Sequence, residues 1–254
     1  MQRPSDDLAH RLAAVWERMR AAAQRAGRPA EAVRLVTVTK GVAPERIREA
    51  MALGVLDFGE NRIQEALPKI AALGPGPRWH LVGHLQRNKI RRAVEAFALI
   101  HSVDSLPLAD EIARRAKAAG QPVPLLLQVN VAAEPQKHGF APDAVPPAAR
   151  HVAALPAIRL RGLMTIAPLA ASPEEVRPVF RRLRELRDVL RAEWPELDEL
   201  SMGMTDDFEV AIEEGATLIR VGRAIFGERT PAGLDHGKDS GEHLTREGRG
   251  EQEG

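Results

Sequence analysis

The sequence predicts a (β/α)8 barrel, and three observations carry that expectation. Eight short runs rich in Val, Ile and Leu alternate with longer stretches of helical periodicity. Each run is too apolar to turn one face to water, as in parallel strands covered by helices. Polar and charged residues gather at the C-terminal ends of these runs, where a barrel keeps its ligands, while the opposite ends are bland.

A helix comes first, from about Ser5 to Arg25. Leu8, Leu12, Val15, Trp16 and Met19 form one apolar stripe, Ser5 is the candidate N-cap and Gly27 the stop. The strands are then expected at Leu35–Thr39, Val55–Phe58, Trp79–Val82, Ala98–Ser102, Pro124–Val131, Leu160–Ile166, Glu199–Met202 and Leu218–Val221. Helices are expected between them at Pro44–Leu53, Ile63–Leu73, Asn88–Phe97, Leu106–Ala119, Asp143–Leu155, Pro173–Glu193 and Asp207–Glu214. Several open on Pro, Ser or Asp, as helix starts do. A doubly wound open sheet is the alternative. It calls for a Gly-rich phosphate turn after the first strand, and that position holds Lys40-Gly41-Val42-Ala43-Pro44. Gly74-Pro75-Gly76-Pro77 precedes a strand, and Gly237-Lys238 lacks the Walker spacing. From Glu228 to Gly254 the chain turns Gly- and charge-rich, with Leu234 and Leu244 its only large apolar residues, so a flexible charged tail is expected.

Composition narrows the function classes. The 254 residues are 44% apolar and 28% charged, with a net charge of +1 from 36 basic and 35 acidic residues. Bulk charge gives no reason to expect nucleic acid or a membrane surface as partner. No apolar run reaches membrane-spanning length. Met1 to Asp7 leads into an amphipathic helix and not a signal-peptide core. The absence of cysteine excludes disulfides and thiolate chemistry, and a cytoplasmic protein is expected. Tyrosine is absent too, which removes phenol as an acid or base.

Lys40 closes the first strand, with Gly41 next. A lysine at the end of a buried strand has little water around it. Desolvation lowers the pKa of an amine, and a neutral amine is a nucleophile, as a Schiff-base lysine must be. A strand-end lysine that reaches solvent is the plain alternative. The other strand ends bear on the choice: Gly59-Glu60-Asn61, His80 to His84, His101 to Asp104, Gln128 to Asn130, Met164-Thr165, Ser201 to Asp206 and Arg220 to Arg223. The loops after the seventh and eighth strands form the usual phosphate cup of a barrel. Ser201 offers a hydroxyl there, and Gly203 and Gly222 allow close backbone approach to phosphate oxygens, although tight turns alone would also use them. A reactive lysine facing a phosphate cup suggests pyridoxal 5'-phosphate (PLP).

Several stretches carry a resemblance. Phe58-Gly-Glu-Asn61, Trp79-His-Leu-Val-Gly83 with Leu85 to Lys89, His101-Ser-Val-Asp104, Gln128-Val-Asn130 with Lys137-His138-Gly139, Leu200 to Asp206, and Arg220-Val-Gly222 with Ile225-Phe-Gly227 resemble the YggS/PROSC family of pyridoxal phosphate homeostasis proteins. The likeness runs from about Leu35 to Gly227. It implies a single barrel similar to the alanine racemase N-terminal domain, preceded by an extra helix. The resulting division is an N-terminal helix packed on the barrel over 1–30, a PLP-binding barrel over 31–227 and the tail over 228–254. By position, Lys40 matches the family's Schiff-base lysine. Ser201, Gly222 and Arg223 fall at phosphate contacts, Arg220 faces the pyridine nitrogen, Asn61 and His80 line the cofactor, and Met202 packs nearby. Arg62 departs from the aromatic usual after Glu-Asn, and Pro135-Gln136 from small hydroxyl residues before Lys137.

The implied function is to hold PLP as a lysine aldimine and to buffer or deliver it in vitamin B6 homeostasis. Apo PLP-dependent enzymes are candidate recipients, and a monomer is expected. An arginine at the pyridine nitrogen donates a hydrogen bond but does not protonate it, so the ring stays a weaker electron sink. A racemase of this type also needs a second base. In alanine racemases that base is a tyrosine from a further domain, and this sequence has neither. Efficient catalysis is therefore not expected. The alternative is a PLP-dependent racemase or lyase of low activity with His80 as its base. A metal at His80 and His84 is not expected, because no further ligands stand out.

Other residues read as structural. Trp16 belongs to a core, and Trp79 points away from His80. His101 and Asp104 suit a mutual hydrogen bond. Glu60 is either a supporting partner or a loop charge. The Arg-rich stretch Val176–Arg191 reads as a solvated helix face.

Overall fold

The computed structural model describes residues 4–170 and 172–227. α1 (Pro4–Arg25) leads to β1 (Arg34–Val38), α2 (Pro44–Ala52), β2 (Asp57–Glu60), α3 (Ile63–Leu73) and β3 (Arg78–Leu81). α4 (Ile90–Ala96), β4 (Leu99–Val103), α5 (Leu106–Ala119), β5 (Val123–Gln128), α6 (Val145–Ala153) and β6 (Ile158–Met164) follow. The chain then runs through α7 (Arg177–Arg191), β7 (Glu199–Ser201), α8 (Phe208–Glu213), β8 (Leu218–Val221) and α9 (Arg223–Phe226). The eight strands close into a parallel barrel in chain order, and β8 returns to β1 from Arg34↔Leu218 to Thr37↔Val221. The barrel is the architecture the alternation predicts, and the open sheet is excluded.

Alternation along the strands divides the apolar residues in two. Outward-facing side chains such as Phe58, Leu81, Ile100 and Leu127 pack under the helices. A separate small cluster of Val36, Val82, Leu99, Leu126, Met164 and Leu218 fills the barrel interior. Each fully buried side chain of this size contributes about 1.5–3 kcal/mol. Trp79 packs outward against Phe58, with ring centroids 5.6 Å apart, as its alternation from His80 requires.

α1 lays its Leu8, Leu12, Val15 and Met19 stripe on the barrel, and Trp16 packs partly buried beside it. Its docking site is the last repeat. Arg18 stands over the Phe208 ring at 4.5 Å and bridges to Glu209 at 2.8 Å, and Arg25 reaches Glu213 at 2.7 Å. On α7, Arg177, Arg181 and Arg184 gather on Glu214, so the Arg-rich face is laced with ion pairs, while Arg187 is buried and donates to the Asp198 carbonyl.

Some boundaries moved. β2 begins and ends two residues later than Val55–Phe58, taking in Gly59 and the charged Glu60. β5 stops at Gln128, and Val129 makes only an isolated bridge to Phe140. The helix expected over Pro173–Glu193 is a 3-10 turn, Pro173–Val176, followed by α7. α9, four residues long, was not anticipated. α1 opens at Pro4, so Ser5 lies within the helix and is not its N-cap. The tail over 228–254 lies outside the described residues.

Candidate functional site

A pocket of about 430 Å³ opens at the C-terminal mouth of the barrel. Lys40, Asn61, Arg220, Gly222 and Arg223 line it together, from β1, β2 and β8, with Met204, Thr205 and Asp206 from the loop after β7. Lys40 differs from its expected setting. β1 ends at Val38, and Lys40 sits two residues on, in a turn with Gly41, partly exposed. It is a lysine at the edge of a cavity and not one sealed inside a strand.

The turn that carries Lys40 is anchored from below. Lys69, on the buried face of α3, donates from Nζ to the Thr39 carbonyl at 2.7 Å and to Glu60 Oε1 at 2.6 Å. Thr39 Oγ1 donates to the same Glu60 oxygen at 2.6 Å. The Glu60 side chain is fully buried, and its Oε2 has no hydrogen-bond partner among the described residues. Glu60 is thus the supporting partner of the two roles considered for it.

Arg220 enters the pocket from the barrel interior. Nη1 donates to Ser201 Oγ at 2.6 Å and Nη2 to the Thr165 carbonyl at 2.8 Å, which fixes the plane of the guanidinium. Burial lowers its pKa to about 10, so it stays charged at neutral pH. From Ser201 a string of buried contacts crosses the barrel. His101 Nδ1 lies 2.8 Å from Ser201 Oγ, His80 Nδ1 lies 2.9 Å from His101 Nε2, and His80 Nε2 lies 2.9 Å from Asp57 Oδ1. Asp57 also accepts from Arg78, with Nε at 2.7 Å and Nη2 at 2.6 Å.

The chemistry of each group orients the string. Burial would raise Asp57, but the hydrogen bonds from His80 and Arg78 prevail and hold it at about 2, so it only accepts. Burial keeps His101 well below the usual imidazole range, with the neighbouring His80 and Arg220 adding to the effect, so it is neutral with one donor and one acceptor. The two ends of the string have fixed directions: Arg220 donates to Ser201 Oγ at one, and Asp57, which only accepts, takes the His80 Nε2–H at the other.

The glycines of the proposed phosphate cup have packing reasons. At Gly222 a Cβ would stand 2.8 Å from the Val38 carbonyl oxygen. At Gly203, where φ is +90°, it would stand 2.6 Å from Ala211 Cβ. The loop after β7 is docked on β8 through Arg220 N–H to the Gly203 carbonyl at 3.0 Å, and Arg223 pairs with Asp206 across it. Burial pushes the Asp207 carboxyl up, although it accepts from the Met204 N–H at 2.6 Å.

Three predicted residues lie away from the cavity lining. His80 and Ser201 are inside the barrel within the Arg220 string, and Met202 packs outward among the helices. His80 and His84 part company, since His84 bonds Asp104 at 3.0 Å. His101 bonds His80 and Ser201 instead of Asp104. Sequence reasoning passed over Thr205, Asp57 and Lys69. A signal for Lys69 existed: with Ile63 and Ala66 it forms a three-residue spacing along the buried face of α3.

Comparison with known proteins agrees with this geometry. Residues 11–230 match the family described as alanine racemase, N-terminal domain. A pyridoxal phosphate homeostasis protein of Aquifex aeolicus is 46% identical, covering 86% of this chain and 97% of its own. PipY of Synechococcus elongatus, solved with PLP bound, superposes with a TM-score of 0.75 at 40% identity, covering 87% of this chain and 100% of its own. An alanine racemase of Clostridium difficile shares the fold at a TM-score of 0.70 and 16% identity, covering 89% of this chain and 57% of its own.

Proposed function

The chain belongs to the pyridoxal phosphate homeostasis protein family, and from that membership we propose that it holds PLP in the Lys40 pocket to buffer or deliver the cofactor in vitamin B6 homeostasis. The residues present fit the group. The pocket combines one primary amine at Lys40, a fixed cation at Arg220, and a second guanidinium at Arg223 beside the Gly222 turn. When bound, PLP supplies an aldehyde that combines reversibly with a primary amine and a pyridine ring able to withdraw electrons. The observation that carries the reading is that Lys40 and Arg220 face one cavity while Arg220 is held by two buried hydrogen bonds.

Each residue then has a role. With PLP in this pocket, Lys40 would offer its amine to the aldehyde, and Arg220 would donate to the ring nitrogen without protonating it, which favours holding over carbanion chemistry. Gly222, Arg223 and Thr205 would receive the phosphate, with Asn61 on the same lining. Ser201 and His80 serve by orienting Arg220, and Met202 by packing behind the loop. The racemase or lyase reading loses support. Its candidate base, His80, is committed to Asp57 and His101, and the 254 residues contain no tyrosine.

We take residues 31–227 as the PLP-binding unit, 1–30 as its helical extension and 228–254 as a tail. We place the protein in the cytoplasm as a monomer that passes PLP to apo-enzymes. No helix among the described residues is long and apolar enough to cross a membrane.

The test is spectroscopic. Protein mixed with PLP gains absorbance at the violet edge of the visible, and borohydride reduction fixes the cofactor on Lys40 by mass spectrometry. Lys40→Ala removes both signals, and the protein does not racemise D- or L-alanine. A protein that takes up no PLP sinks the reading.

A further inference from the structure

We propose that His84, Asp104 and His138 form a binding site for a late first-row divalent transition-metal ion, with zinc the expected occupant. The three residues come from different repeats. His84 follows β3, Asp104 follows β4 and His138 lies in the loop after β5. Their ligand atoms all fall within 4.8 Å of one another.

The distances lie within a few tenths of an ångström of those that one shared ion requires. Ligand atoms sharing a zinc ion at bond lengths of about 2.0–2.1 Å stand about 3.0–3.4 Å apart. His84 Nδ1 lies 3.0 Å from Asp104 Oδ2, and His138 Nδ1 lies 3.6 Å from the same oxygen. The second distance is beyond a hydrogen bond, so the His138 imidazole is aimed at that oxygen without bonding it. The two rings stack at 4.2 Å between centroids with planes 16° apart, both directed at the Asp104 carboxylate. Asp104 is 9% exposed at its side chain, whereas the imidazoles are 45% and 62% exposed. Water therefore reaches the remaining coordination positions.

The donor set selects the ion. Two imidazoles and one carboxylate suit zinc, nickel, copper or cobalt, whereas calcium and magnesium take oxygen ligands. The backbones beneath the donors are fixed. Ser102 Oγ donates to the Gly83 carbonyl at 2.6 Å, joining the His84 loop to β4. Gln128 Nε2 donates to the His138 carbonyl at 2.9 Å, and Phe140 N–H returns to the Gln128 carbonyl at 2.8 Å. Little ordering remains for an ion to impose. A cavity of about 270 Å³ lined by His84 and His138 shares Asn61, Val82 and Ile166 with the Lys40 pocket, so the ion would stand at the neighbouring wall.

Untagged, chelator-treated protein titrated with zinc sulfate by calorimetry at neutral pH tests this, with cobalt chloride and visible spectroscopy as the second readout. One zinc per chain is expected, with a dissociation constant in the micromolar range and cobalt bands of a nitrogen–oxygen site. His138→Ala, His84→Ala and Asp104→Asn each weaken binding about tenfold or more and remove the cobalt bands. His151→Ala, at an exposed histidine paired with Asp110, leaves binding unchanged. Retained PLP uptake and unchanged melting show that the variants are folded, and His138→Gln repeats the test with a bulkier replacement. No binding at millimolar zinc overturns the proposal, as does affinity that survives the His84 and His138 substitutions. Equal binding of magnesium overturns the assignment of ion class.

Discussion

Lys69 Nζ lies 2.6 Å from Glu60 Oε1 in a buried pair whose second contact, to the Thr39 carbonyl, supports the residue just before Lys40. The Lys69 side chain is 10% exposed and that of Glu60 fully buried. Truncating one partner of such a pair leaves an uncompensated charge and costs about 3–5 kcal/mol. Lys69→Met therefore lowers the denaturation midpoint strongly and weakens PLP uptake, because Thr39 loses its support. The double substitution Glu60→Gln with Lys69→Met is milder than Lys69→Met alone. Equal losses in the two variants would dismiss the pair as an anchor for the turn.

Ser201→Ala removes the acceptor on Arg220 Nη1 and the partner of His101 Nδ1. Leaving buried donors or acceptors unsatisfied costs about 1–3 kcal/mol. Affinity for PLP falls about tenfold as the guanidinium loses its fixed plane. Borohydride still traps the cofactor on Lys40, because the amine is untouched. Loss of that adduct would show that Ser201 acts on Lys40 itself.

Stability depends on pH through His101 and Asp57. His101 is held neutral in the fold and titrates near 6.5 once unfolded, so below that pH the unfolded chain binds the extra proton. Stability is full above about 6.5 and declines by about 1.4 kcal/mol per pH unit below it. Denaturant titrations at pH values on either side detect this, and His101→Gln flattens the slope. Asp57 adds a second loss as pH falls from about 4 to its folded value of about 2. Asp57→Asn removes that lower limb.

Gly222→Ala places a methyl group 2.8 Å from the Val38 carbonyl oxygen and 3.2 Å from Val38 Cβ. Overpacking of this kind costs about 1–3 kcal/mol. The wall between β1 and β8 moves, and PLP affinity falls with it. A crystal structure of the variant with β1 unmoved and affinity intact would refute the close-packing role.

The barrel was legible because apolar runs and helical stripes recur without a break from Leu35 to Val221. The end of β2 falls later than expected because the Glu60 charge reads equally as a loop residue. Glu60 is a strand residue whose charge is met inside the fold by Lys69, nine positions away. Periodicity has no access to such pairing. The mouth of the barrel could be located from the strand ends, and five of the eight named residues line one cavity there. His80 and Ser201 separated from them because residue type says what a side chain can bond, whereas the pleat decides where it points. α9 escaped notice because one helical turn is too short to show a period.

Arg18 and Glu209, which tie α1 to α8, are 191 residues apart. On a ribosome adding about 5–20 residues per second, α1 waits about 10–40 s for its docking surface to be made. β1 waits similarly for β8, because their pairing closes the ring. Throughout that interval the Leu8, Leu12 and Val15 stripe lacks the α8 and α9 surfaces it packs on in the finished fold. Neither the closure of the ring nor the full docking of α1 can precede emergence of the last repeat.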